Sequence, residues 1–126
     1  MTVDSEEFLI SYVKFSGWLE IGFGVLFLFM GPIFELLGIP VSPFFPLAAG
    51  VMIITLGFLL WYSARDLERY LIITVSSCVF RFAMAPIEFY CLFAIPILTP
   101  IWIFGFSYDI FSAALTLLLL KRVEIL

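Results

Sequence analysis

The chain has 126 residues, 64% of them hydrophobic and 13% charged, with a formal net charge of −4. Soluble domains run near half apolar and a quarter charged, so this is membrane-protein composition. It contains no basic patch, which excludes nucleic acid as a partner.

The segment "TVDSEE" (2–7) is acidic and lacks the basic start of a signal peptide. The apolar stretch that follows, 8–30, therefore reads as a retained transmembrane helix. Further stretches at 44–62 and 101–120 each approach the roughly 20 residues needed to cross about 30 Å of hydrocarbon. A longer one occupies 70–95. The spacing predicts an all-α protein, a four-transmembrane-helix bundle forming a single integral membrane domain over 1–126.

Between the first two spans, "GPIFELLGIPVSP" (31–43) carries no Lys or Arg. Gly31-Pro32 is expected to close the first helix, and "FELLG" to form a short interfacial helix. Lys14, Arg65, Arg69, Lys121 and Arg122 all fall on the other side. Basic residues stay cytoplasmic, so both termini of this multi-pass protein are expected inside. Trp61, Tyr62, Tyr70 and Trp102 fall near the predicted interfaces. "FLISYV" (8–13) and "YLIITV" (70–75) hint at an internal repeat of hairpins.

Gly17, Gly24 and Gly31 recur every seventh residue in the first span, as do Gly50 and Gly57 in the second. Seven residues nearly complete two turns, so each set lies on one helix face. Small residues let backbones approach closely in lipid, and these glycines are expected to be packing seams.

Four ionisable residues fall within the spans: Glu20, Arg81, Glu88 and Asp109. Each costs about 2.5–3.5 kcal/mol at the bilayer centre unless paired or hydrated. Glu20, Arg81 and Asp109 lie on three different spans, all roughly 15–18 Å deep at 1.5 Å per residue. A buried ion network of these three is expected, since a guanidinium suits carboxylates bidentately. Thr74, Arg81 and Glu88 form a heptad stripe, with Ser77 one turn before Arg81. Asp109, Ser112 and Thr116 share a face of the last span. Glu88 lies about 10 Å beyond Arg81, with Pro86 between them. Pro86 cannot donate to the Phe82 carbonyl. Arg81, Pro86, Glu88, Ser77 and Ser112 are accordingly candidates for a polar ligand pocket. Two blander readings compete: an ion network that only fixes helix register, and contacts with a partner subunit.

No cofactor is expected. The chain has no histidine and no CxxC, and Cys78 and Cys91 are 13 residues apart in one span. The 16 phenylalanines offer a quinone or a lipid a docking surface without a motif.

The hairpin end "GVMIITLGFLLWYSARDLERY" (50–70) and the terminal "YDIFSAALTLLLLKRVE" (108–124) give a layout that resembles small bacterial four-helix membrane proteins of the DoxX-like kind. The resemblance covers most of the chain. It implies association with redox or quinone-linked membrane complexes, or an apolar ligand within the bundle, and it assigns no catalytic residue.

The expected function is a non-catalytic membrane protein: an accessory or assembly subunit, or a binder of a small apolar or amphipathic ligand. The alternative is a homodimeric transporter or proton-linked carrier that uses Glu20, Arg81, Asp109 and Glu88. An enzyme ranks last, because no nucleophile–base pair or metal set accompanies the carboxylates. The lipid bilayer is the sure partner; a homodimer or larger membrane complex is the open one.

Overall fold

The structure is a computed structural model that describes residues 3–42 and 44–126. Met1, Thr2 and Pro43, the last of these in the proline-rich loop, lie outside the described residues. Those described form five α-helices and one 3-10 turn, with no strand: α1 (Val3–Leu28), α2 (Met30–Leu36), α3 (Phe44–Ser63), α4 (Leu71–Ala94), the turn Pro96–Leu98, and α5 (Thr99–Arg122). Four segments are long and apolar enough to cross a membrane: Asp4–Leu28, Phe44–Ser63, Leu71–Ala94 and Pro96–Arg122. Large apolar side chains such as Phe44, Ile72, Phe93 and Leu118 are exposed along them. Apolar surface of this kind is stable against lipid, and the chain is built as a multi-pass integral membrane protein.

The first compact unit is Ile10–Asp66. Its helices α1 and α3 meet through the expected glycines. A Cβ on Gly17 would stand 2.7 Å from the Gly57 carbonyl oxygen, and one on Gly57 would stand 2.7 Å from the Gly17 carbonyl oxygen. Gly24 and Gly50 repeat the arrangement at 2.8 Å in both directions. Any side chain at these positions would force the backbones apart. Gly31 does not extend the seam: a Cβ there meets nothing within 4 Å. The reason is that α1 ends at Leu28, before Gly31, and the chain turns at Phe29. Gly31-Pro32 therefore opens α2 and does not close α1. Proline is tolerated there because the first helical turn has no intrahelical use for its missing N–H. Gly38, at φ +72°, caps α2. The Ile39 N–H donates to the Phe34 carbonyl at 2.9 Å and the Gly38 N–H to that of Glu35 at 3.1 Å, a Schellman pair.

The second unit is Leu67–Leu126 together with the chain start up to Leu9. Its main contact is α4 against α5. The turn between them is fastened by side chains: Thr99 Oγ1 donates to the Pro96 carbonyl at 2.6 Å, and Trp102 Nε1 to that of Ile95 at 3.0 Å. Helix α4 continues through Pro86 to Ala94.

Candidate functional site in the α4–α5 pair

Thr74, Ser77, Cys78, Arg81 and Ala85 are buried along α4, at the three- and four-residue steps that keep one helix face. Ser112, Ala113 and Thr116 are buried on α5. Arg81 and Ser112 bring these two stripes together across the α4–α5 seam.

Arg81 is the largest fully buried side chain, at 1% exposure. Its Nη1 donates to Ser112 Oγ at 3.0 Å. Its guanidinium carbon lies 5.4 Å from the centre of the Tyr108 ring, which offers the negative face of its π-system. Ser112 in turn leans toward the Asp109 carbonyl at 3.5 Å, and Thr116 Oγ1 donates to the Ser112 carbonyl at 2.7 Å. The structure thus brings Arg81 and Ser112 together and adds Tyr108. Aromatic residues are so frequent in this chain that nothing marked Tyr108 as special. Asp109 is half-buried on α5, and Glu20 is buried on α1, where its Cβ packs beside the Gly57 backbone. Ser77 is buried one turn before Arg81, and its hydroxyl has no hydrogen-bond partner among the described residues.

Glu88 is half-buried and sits against Gly105 of α5. A Cβ on Gly105 would stand 2.8 Å from Glu88 Oε1 and 3.1 Å from Oε2. The absent side chain makes a notch that holds the carboxylate. Gly105 has no heptad partner in its span, so spacing did not single it out.

Pro86 lines a recess of about 390 Å³ with Phe82, Ala85, Phe89, Phe106 and Ile110. Its walls are apolar, with the Phe89 and Phe106 rings 5.8 Å apart across the two helices. The sequence predicts a polar pocket with Pro86 on its border; the recess that Pro86 lines here is apolar, with Phe82 and Phe89 flanking the proline. Arg81 and Ser112 belong to the seam, and Glu88 to the Gly105 notch. Among the described residues, no group of three Cys, Asp or Glu side chains is placed to hold a metal ion.

Comparison of the chain with protein-family models, with curated proteins and with solved structures finds no match.

Proposed function

We propose that the chain is a small non-catalytic integral membrane protein that holds a small apolar or amphipathic ligand at the α4–α5 pair, or serves as an accessory or assembly subunit of a membrane complex. The observation that carries this reading is the recess of about 390 Å³ walled by Phe82, Ala85, Pro86, Phe89, Phe106 and Ile110. That volume lies within the roughly 300–1,000 Å³ of small-ligand sites, and its aromatic walls suit a quinone ring or an acyl chain. In this reading Arg81 supplies the positive charge for the intramembrane carboxylate Asp109, and the seam keeps α4 and α5 in register. Both termini are cytoplasmic, supported by the one-sided distribution of Lys14, Arg65, Arg69, Lys121 and Arg122, and the bacterial inner membrane follows from the proposed DoxX-like resemblance alone. The DoxX-like layout is part of the same proposal and rests on the order of spans and loops.

The test is purification of the full chain into phosphatidylcholine nanodiscs, followed by native mass spectrometry. A retained quinone, lipid or subunit that is lost when Ala85 is enlarged to Phe supports the reading. Retention unchanged by Ala85→Phe removes the recess from it.

A second reading, a homodimeric transporter or proton-linked carrier, is favoured by one observation: Glu88 is lodged against Gly105 inside a membrane span. Intramembrane carboxylates mark proton and ion pathways more often than not. Proton uptake into proteoliposomes that disappears in Glu88→Gln would favour it over the binding reading.

A further inference from the structure

We propose that the cleft between α2 and the first turn of α3 binds an amphipathic cation, an alkyl chain carrying an ammonium head. The cleft lies within the Ile10–Asp66 unit and does not depend on the α4–α5 reading.

It is a half-open cleft of about 610 Å³, a volume in the range of small-molecule sites. Leu28 at the end of α1, Pro32 on α2, Ile39 and Pro40 in the loop, and Pro46 on α3 supply apolar walls. Its place in the chain is the link between the spans Asp4–Leu28 and Phe44–Ser63, which is a bilayer edge. An amphiphile meets both apolar and wet surroundings there.

The chemistry of the walls selects the sign of the head group. Among the described lining residues Glu35 alone has a polar side chain, and it is exposed. No lining side chain donates a hydrogen bond. Three of the lining residues are prolines, Pro32, Pro40 and Pro46, and proline has no backbone N–H. Glu35 is the one charged group among the described walls of the cleft. An anionic head would be repelled by the Glu35 carboxylate; a cationic head would be attracted to it. The Schellman cap around Gly38 turns the loop back so that Ile39 and Pro40 reach the same cleft as Glu35. At Gly31 the missing side chain leaves the floor open, since a Cβ there meets nothing within 4 Å. That is a reason for glycine at a position where packing requires none.

The experiment uses the full chain in phosphatidylcholine nanodiscs, titrated calorimetrically with decyltrimethylammonium and with decyl sulfate, empty nanodiscs serving as the blank. The expected result is saturable binding of the cation, about fivefold tighter than the anion, the upper end for one exposed ion pair. Glu35→Gln should erase that preference, and Gly31→Leu should weaken both probes by filling the floor. Neither change touches packed structure, so folding is preserved. Equal affinity for the two probes, a preference that survives Glu35→Gln, or heats no larger than those of empty nanodiscs would overturn the proposal.

Discussion

Arg81 donates from Nη1 to Ser112 Oγ at 3.0 Å, across two helices long and apolar enough to span a membrane. Both side chains are 1% exposed. The bond ties α4 to α5 at one register and fixes which faces of the two helices turn outward. Ser112→Ala removes the acceptor and leaves a buried donor behind, at a cost of about 1–3 kcal/mol. Arg81→Ala also strands the Asp109 carboxylate proposed to depend on its charge, and should cost more, about 3–5 kcal/mol. Thermal unfolding in detergent, followed by circular dichroism, ranks the two variants; a Ser112→Ala variant as impaired as Arg81→Ala would contradict the ordering.

Gly17 and Gly57 make a second prediction. Alanine at either position must push apart backbones whose carbonyls lie 2.7 Å from the new Cβ. Gly22→Ala is the matched control in the same helix, since nothing lies within 4 Å of it. The expected outcome is a lowered melting temperature for Gly17→Ala and Gly57→Ala, by about 1–3 kcal/mol of overpacking each, and none for Gly22→Ala. Equal melting temperatures in all three variants would show that the α1–α3 seam is not tight.

The notch at Gly105 predicts coupling. Gly105→Ala displaces the Glu88 carboxylate from the notch; because that is the free end of a flexible side chain, the cost should lie at the low end of the range for contacting residues. In a Glu88→Ala background the collision is gone, and Gly105→Ala should be close to neutral. Contacting residues couple by about 0.5–3 kcal/mol in such double-mutant cycles. Strict additivity of the two changes would mean that the carboxylate does not occupy the notch.

Orientation is testable from the loop between α2 and α3. A cysteine at Ser42, in a background where Cys78 and Cys91 are replaced by Ala, should react with a membrane-impermeant maleimide added outside intact cells. A cysteine at Lys121 should react only after the membrane is opened. The reverse pattern would place the termini outside.

Much of the architecture is legible in the sequence, for identifiable reasons. The four spans are read from length and hydropathy alone, and their ends agree with α1, α3, α4 and α5 to within a few residues, apart from the acidic first turn of α1. Gly17, Gly24, Gly50 and Gly57 were readable because glycine at a seven-residue spacing has few other uses in lipid. The polar stripe of Thr74, Ser77 and Arg81 stood out because lipid-facing positions are apolar. Other features left no such mark. Phe29, where α1 and α2 part, is one apolar residue among many, whereas Gly31-Pro32 two residues later looks like a helix end. Tyr108, Gly105 and the aromatic recess depend on what α4 places opposite them. A membrane helix is apolar on its lipid face and on its packed face, so periodicity does not separate the two.

The central claim is that the recess between α4 and α5 accepts an apolar ligand. Photolabelling tests it most directly: a quinone bearing a diazirine-tipped alkyl chain, added to the full chain in phosphatidylcholine nanodiscs, with labelled residues located by mass spectrometry. The account predicts adducts concentrated on Phe82, Phe89, Phe106 and Ile110, competed by unlabelled quinone and lost in Ala85→Phe. Adducts spread evenly over lipid-facing residues such as Phe44, Ile72 and Leu118, unchanged by competitor or by Ala85→Phe, would contradict it.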